Sequence, residues 1–184
     1  VDKTDEELHR VDIESLERRI MELALEHTGA HHGAIFLHDR RAKGLAIDFH
    51  IVDGLVVTMP GALLKRREDG RPNGIAMWVL DHNEAYLCED AERDPNYARY
   101  FFDVSSIAAV PIPYQRRAIG VISVSSRRKR AFGNEELLAL EELATASAKF
   151  LRRAQLYRAT RASGHHPFLI KGLSPAWLLV ERQL

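Results

Sequence analysis

A β-hairpin in the second half of the chain constrains the fold most tightly. Two apolar runs, residues 107–114 and 118–124, are joined by a polar connection of only three residues, QRR. Such a short connection between two strand-forming runs is typical of antiparallel neighbours. Pro111 and Pro113 lie two residues apart, so both remove N–H donors from the same side of the first strand. We expect a cavity or a bulge on that side.

The first half of the chain predicts a helix followed by two strands. Apolar residues recur at helical spacing from Leu8 to His27, and Gly29 supplies a natural helix end. An apolar run at residues 34–37 predicts a strand, and a polar loop at 39–44 leads into a second one. In this second strand apolar and polar residues alternate, which predicts a single buried face. That face would consist of Leu45, Ile47, Phe49 and Ile51.

The remaining segments complete an α+β pattern. Residues 65–74 lack core-forming side chains and predict an exposed loop, and a short helix follows around residues 75–79. A strand at 84–88, a turn and a second short helix at 97–102 precede the hairpin. A long helix with Gly133 as its N-cap then runs to about Arg158. This order predicts an antiparallel sheet covered by helices, with the terminal helices packed together or against a second copy.

Composition narrows the function classes. The chain has 26 basic and 26 acidic side chains and a formal net charge of zero. A nucleic-acid-binding domain usually shows a basic excess, so no direct binding to nucleic acid is expected. No apolar run approaches the length of a membrane span, and the N-terminus is polar and acidic. With a single cysteine, Cys88, the chain cannot form an internal disulfide, and we expect a cytoplasmic protein.

These segments, taken in order, resemble a GAF domain, a small sensory module of phytochromes, phosphodiesterases, histidine kinases and bacterial transcription activators. The resemblance covers residues 13–157 and rests on GAIFLHD, NGIAMWVLDHNEAYLCEDAERDPNY, SSIAAVPIPYQRRAIGVISVSS and FGNEELLALEELA. It implies a central antiparallel sheet of about six strands with a pocket on one face. The pocket would lie beneath residues 74–80 and 89–104. Family members often dimerise through their terminal helices.

The motifs of the well-known ligand classes of this family are incomplete. Cyclic-nucleotide-binding members carry Asn-Lys, then Phe, then Asp-Glu, whereas here Ser125 and Ser126 precede Phe132 and a Glu-Glu pair. Bilin-binding members need a thiol in or near the pocket insertion, but Cys88 ends a strand and is expected to pack as a small apolar group. A GAF-fold reductase of free methionine sulfoxide uses several cysteines. We therefore expect neither cyclic nucleotide nor bilin, and the sequence requires no cofactor and leaves its identity unknown. We also expect no catalytic residues and no enzymatic activity.

The resemblance also implies two sets of functional positions. Apolar walls with a few polar groups suit a small-molecule site, although the same residues could simply fill the core. The candidate ligand-binding residues are His50, Met77, Trp78, Tyr86, Tyr100, Phe101, Phe102, Ala109 and Val110. The candidate contacts of a homodimer, on the apolar seams of the terminal helices, are Leu16, Ile20, Leu140, Ala144 and Leu151.

Three polar clusters predict no additional site. His27, His31 and His32 are close in sequence but lack a further ligand for a closed metal site, so a surface cluster is expected. The basic run at residues 127–130 is one loop long and predicts a solvated loop. Asp94, followed by Pro95, predicts the start of a turn.

The end of the chain bears on the parent protein. Helical periodicity stops at residues 162–167, ASGHHP, and FLIKGLSPA at 168–176 resembles the opening of the AAA+ domain of sigma-54-dependent activators. We therefore expect a GAF domain at 1–160, a linker at 161–170 and the truncated start of an AAA+ ATPase domain at 171–184. The chain would be an excised fragment of a transcription activator with a further DNA-binding domain, and it would control the ATPase through dimerisation. The alternative is the sensory domain of a histidine kinase, a cyclase or another signalling enzyme.

Overall fold

The computed structural model describes residues 3–99 and 103–162, and their side chains over 12–99 and 103–159. The predicted linker and the predicted start of a second domain lie almost entirely outside these residues. Three helices and seven strands occur in the described part. In chain order they are α1 (Lys3–Thr28), β1 (His32–Asp39), β2 (Gly44–Val52), β3 (Leu55–Val56), β4 (Leu63–Lys65), α2 (Ile75–His82), β5 (Tyr86–Cys88), β6 (Ser106–Tyr114), β7 (Arg117–Ser126) and α3 (Asn134–Ala162).

The sheet is antiparallel throughout, with the strand order β3-β2-β1-β7-β6-β5 and with β4 paired to β2. The predicted hairpin is confirmed as β6 and β7, which pair along almost their whole length. Its register shifts between Ile112 and Pro113, where Ile119 of β7 has no partner in the ladder. The predicted α+β fold class is therefore confirmed.

Both faces of the sheet are covered, and each has its own core. On the helix face, α1 and α3 pack on each other and on side chains such as Ile35, Val110 and Ile122. On the opposite face, called the cavity face below, α2 and the segment between β5 and β6 pack on residues such as Phe36 and Ala109. No helix in the described part of the chain is long and apolar enough to cross a membrane.

A β-bulge in β2 overturns the prediction of a single buried face for this strand. Ile35 of β1 pairs with Phe49 and Phe36 pairs with Ile47, so Asp48 has no partner in the ladder. The inserted residue changes the direction of the alternation. Leu45 and Ile47 consequently join the core of the cavity face, whereas Phe49 and Ile51 join the core of the helix face.

The predicted dimer seam is an intramolecular contact instead. Ile20, Leu140, Ala144 and Leu151 are each 4% exposed or less, and all four lie in the core of the helix face. Leu16 is half-buried and packs against the same core. Their apolar spacing fits the requirement of α1 and α3 to cover the sheet and each other, so these side chains are not available to a second copy.

A second correction concerns the segment after β5. The expected short helix does not form over Tyr97, Ala98 and Arg99, which have no regular secondary structure. Residues 100–102 lie outside the described part. The turn predicted at Asp94 is confirmed, because its carboxylate accepts the backbone N–H of Asn96 at 2.8 Å.

Gly120 tests how tightly the two central strands approach. A Cβ atom at this position would lie 2.1 Å from the backbone oxygen of Phe36, which is rigid. We expect Gly120→Ala to lower the free energy of unfolding by about 2–3 kcal/mol, measured by urea denaturation. Gly133→Ala is the matched control, since its Cβ would meet only the Glu136 carboxylate at 3.4 Å. Equal losses in the two variants would contradict this explanation.

Candidate functional site

A row of small side chains crosses the middle of the cavity face. The register places Ala34 between His50 and Ser123, and it places Ala109 between Ser123 and Tyr86. Residues that pair directly across antiparallel strands project from the same face of a sheet. Three small side chains therefore lie between two large ones, and they leave a depression in the face.

The part of this row formed by His50, Ala34 and Ser123 is the floor of a cavity of about 100 Å³. The segment between β5 and β6 forms its roof with Tyr97, Ala98 and Val104. The remaining walls come from β1, β2, β6 and β7, and they are Gly33, Ala34, Phe36, Ile47, His50, Ile107, Ser123 and Ser125. None of these described lining residues is an Asp, Glu, Lys or Arg. The cavity therefore suits a small, uncharged ligand that is mostly apolar.

His50 supplies the largest polar group of the cavity wall. It is 4% exposed, and burial together with the nearby His32 holds its pKa below the usual value. The imidazole is therefore neutral at pH 7, and it can donate or accept a hydrogen bond according to its tautomer. With the hydroxyl groups of Ser123 and Ser125, it offers a ligand a few directional contacts in an apolar setting.

Tyr86 of β5 forms hydrogen bonds with the start of the segment between β5 and β6, which roofs the cavity. Its hydroxyl group donates to the Asp94 carboxylate at 3.0 Å and accepts the side-chain N–H of Asn96 at 3.0 Å. Trp78 lies edge-on to the Tyr86 ring, with 4.7 Å between the ring centroids, and stacks on His82. The hydroxyl group of Tyr86 is thus engaged within the fold. Tyr86 and Trp78 do not line the cavity and instead pack beside it.

The other predicted ligand-binding residues are dispersed. Met77 is 1% exposed and borders a different hollow beneath α2. Val110 is fully buried on the helix face and does not share the cavity with His50. Tyr100, Phe101 and Phe102 lie outside the described residues. Of the candidates, His50 lines the cavity, Ala109 lies in the same row beside the cavity floor, and a ligand contact for each stays a prediction.

Cys88 is a buried structural thiol, which agrees with its expected packing. It is 0% exposed, and burial, followed by the charge of Asp94, raises its pKa to about 12. The thiol is therefore protonated at neutral pH and lacks the thiolate character that nucleophilic or redox cysteines need.

The histidines and the basic run only partly match their predictions. His27 and His31 are exposed, but His32 is fully buried, and its Nε2 lies 3.1 Å from the Asp53 carboxylate. No group of three or more His, Cys, Asp or Glu side chains in the described part is arranged to hold a metal ion.

The basic run lies on an exposed loop, as predicted, but most of it is engaged in ion pairs. Arg127 binds Asp53, and Arg130 binds Glu89. Lys129 binds Asp90 and Glu92, at 3.1 and 2.7 Å. These carboxylates offset much of the positive charge of the loop.

A buried charge cluster on the helix face escaped sequence analysis. Arg158 of α3 forms an ion pair with Asp48 of β2 and donates a hydrogen bond to Glu17 of α1 at 3.3 Å. Both carboxyl side chains are only 1% exposed. Burial and a hydrogen bond to Asp48 raise the pKa of Glu17 to about 10, so Glu17 is protonated and donates to the Asp48 carboxylate. The cluster joins both terminal helices to the bulge of β2.

Comparisons with known proteins agree with this architecture. The family model described as GAF domain matches residues 12–150. No curated protein sequence matches the chain. Among solved structures, the type II free methionine-R-sulfoxide reductase of Thermoplasma acidophilum is 19% identical, with 77% of this chain and 96% of that chain covered and a TM-score of 0.55.

Two further solved structures show the same fold. The free methionine-R-sulfoxide reductase of Neisseria meningitidis, in complex with its substrate, is 21% identical, with 76% and 84% of the two chains covered and a TM-score of 0.58. The GAF domain of a two-component sensor histidine kinase from Bacillus halodurans is 16% identical, with 76% and 96% covered and a TM-score of 0.57. At such identities the likeness shows the fold alone.

The prediction that the chain is not an enzyme is wrong. Structures similar to it include free methionine-R-sulfoxide reductases, so proteins of this fold do catalyse reactions. The lack of recognisable nucleophile or phosphate-loop motifs therefore does not exclude catalysis. The reaction of those proteins is not carried over to this chain, because fold likeness alone does not transfer a function.

Replacement of Glu17 tests the buried charge cluster. Because the folded state keeps a proton on Glu17 that the unfolded state releases above pH 4.5, stability falls as pH rises from about 4.5 towards 10. A glutamine stays neutral and can still donate to Asp48. We expect the stability of Glu17→Gln relative to the native chain to increase by more than about 1 kcal/mol between pH 5 and pH 8 in urea unfolding.

Asp48→Asn is the contrasting variant. It leaves Arg158 without its charged partner on β2, so it should lower stability at both pH values. Parallel pH profiles for Glu17→Gln and the native chain would contradict the shared-proton arrangement.

Proposed function

Because this chain belongs to the GAF domain family, we propose that it is a sensory domain that binds a small molecule above the row of Ala34, Ser123 and Ala109. The observation that carries this proposal is the cavity under the segment between β5 and β6. Close-packed interiors contain few voids larger than a water molecule, so a hollow of this size over the sheet is a candidate site. Here the small side chains of three neighbouring strands coincide at one level of the sheet.

The lining restricts the class of ligand. A volume of about 100 Å³ admits only a small molecule, and the walls are mainly apolar. His50 is neutral at pH 7 and can form one directional hydrogen bond, with Ser123 and Ser125 as further partners. We infer a compact, uncharged ligand with one or two polar groups.

Transmission would use the helices on the opposite face. The strands that line the cavity also carry α1 and α3, because side chains of β1 and β7 alternate between the two cores. A small displacement of these strands reaches α3 through the side chains packed between them. The ligand can bias the helices only if it binds one arrangement better than another.

For the parent protein, we propose a sigma-54-dependent activator in which this domain controls a downstream AAA+ ATPase. The support is the resemblance of residues 168–176 to the opening of that ATPase domain. The sequence that follows Leu184 in the parent gene tests the proposal: a phosphate-binding loop similar to GESGTGK should occur within about 30 residues. A histidine box in its place would favour a histidine kinase.

A homodimer remains part of this proposal, but with different contacts. Leu138 and Phe150 are the exposed large apolar residues on the described part of α3, with 59% and 48% of their surfaces accessible. We expect them to contribute to an interface between two copies, since the buried seam is already occupied.

Filling the cavity should abolish ligand binding while the fold persists. Native mass spectrometry of the gently purified protein should show a bound small molecule, which Ser123→Leu should lose because its side chain occupies the cavity floor. Ser123→Ala is the matched control and should retain the bound species. An adduct of the same mass in both variants, or none in the native protein, would argue against the cavity as the sensory site.

Variants of α3 separate association from folding. Leu138→Glu and Phe150→Glu should shift sedimentation from dimer to monomer without lowering the melting temperature by more than a few degrees. Leu140→Glu should abolish cooperative unfolding, because it places a charge in the core. A dimer that survives both exposed substitutions would show that other residues form the interface.

A further inference from the structure

We propose that the helix face carries a second ligand site, which takes a small organic anion with a carboxylate group and a compact apolar body. The site is the hollow between the tip of the β1–β2 hairpin and the C-terminal half of α3. It lies across the sheet from the cavity lined by His50, and it stands independently of the sensory function proposed for that cavity.

The hollow has the dimensions of a small-ligand pocket. Its volume is about 280 Å³, close to the lower end of the range typical of ligand-binding clefts. The hairpin contributes residues 37–41 together with Ala46 and Asp48. Helix α3 contributes Arg152, Gln155, Leu156, Arg158 and Ala159.

Positive charge dominates the lining. Four arginines, Arg40, Arg41, Arg152 and Arg158, oppose only two aspartates, Asp39 and Asp48, which leaves an excess of two positive charges. An anion in the hollow would meet this excess at a partly desolvated position, where charge interactions are stronger than in water. This excess of positive charge offsets the partial negative charge that the helix dipole places at the nearby C-terminal end of α3.

The carboxylates of Asp39 and Asp48 already have partners within the fold. The Asp39 carboxylate accepts the backbone N–H groups of Arg41 and Ala42, at 2.8 and 2.9 Å, and so stabilises the hairpin turn. Asp48 is held in its buried ion pair with Arg158. Arg40 and Arg41 are both exposed at the mouth of the hollow.

Helix α3 supplies a rigid wall for the same hollow. Gln155 donates to the backbone oxygens of His38 and Ile119, at 2.7 and 3.0 Å, and accepts from Arg152. The guanidinium of Arg152 lies 5.4 Å from the centre of the Tyr114 ring. These contacts fix Arg152 in place, so its remaining N–H donors are oriented before a ligand arrives.

The apolar part of the lining defines the other half of the ligand. Leu37, Ala46, Leu156 and Ala159 contribute hydrocarbon surface between the arginines. A fully hydrated inorganic anion would leave this surface without a partner. A carboxylate on a small hydrocarbon body satisfies both parts, because its two oxygens match the paired donors of a guanidinium group.

Occupancy would act on the helices that frame the domain. Arg158 lines the hollow and also holds Asp48 and Glu17, so an anion beside it changes the field on the cluster that links α1, β2 and α3. The second site is thereby placed to modulate the same helices from the opposite face of the sheet.

Benzoate is a suitable probe, with benzamide as its uncharged isostere and inorganic phosphate as an anion without an apolar body. In amide-detected NMR titrations at constant ionic strength, benzoate should give saturable shifts centred on the 37–41 and 152–159 segments. Benzamide and phosphate should bind at least about tenfold more weakly, since each lacks one of the two recognised features. Equal binding of benzamide, or no saturable shifts with benzoate, would overturn the proposal.

Two double variants complete the experiment. Arg40→Gln with Arg41→Gln should weaken benzoate binding at least about tenfold, and both positions are exposed, so folding should persist. Arg128→Gln with Arg130→Gln removes the same charge from the distant basic loop and should change binding less than about twofold. Equal weakening by both pairs would show that benzoate senses only the overall charge. Ser123→Leu should leave benzoate binding intact, and its loss there would place the ligand in the other cavity.

Discussion

The extra residue in β2 is the constraint on which the two faces of the sheet depend. If Asp48 were paired regularly in the ladder, the alternation that begins at Leu45 would continue, and one face would receive all the large side chains of the strand. The bulge instead divides them between the two cores. It also directs a carboxylate towards α1 and α3, where Arg158 forms an ion pair with it and the protonated Glu17 donates to it. One inserted residue thus sets both the packing of the sheet and its attachment to the terminal helices.

The sheet separates two hollows of opposite chemistry. The cavity face has a floor of small side chains and a neutral imidazole, so it selects against charge. The hollow at the hairpin tip is lined by arginines and selects for it. Because β1 and β2 line both hollows, a ligand in either proposed site would act on the same two strands. Under the two proposals, the domain would have two separable inputs to one pair of helices.

Local sequence patterns predicted the helices and strands better than they predicted the tertiary contacts of those elements. The hairpin, the helix end at Gly29 and the burial of Cys88 each depend on neighbours in sequence, and each is confirmed. The bulge could not be predicted, because Leu45, Ile47 and Phe49 alternate regularly along the sequence. Only the pairing of β2 with β1 shows that Asp48 is the inserted residue. Because Glu17 is a charged residue beside an apolar stripe, the sequence predicts a surface position for it. Only the contacts with the distant Asp48 and Arg158 explain its burial. The helical seam was recognised, but apolar spacing does not say whether a sheet or a second copy covers it.

The hydrogen bonds of Tyr86 have a consequence for one wall of the cavity. Tyr97, Ala98 and Val104 form one side of this partly open cavity. The Tyr86 hydroxyl group holds Asp94 and Asn96 at the near end of the same segment. Loss of these hydrogen bonds would therefore loosen one wall of the proposed site without changing any residue that lines it.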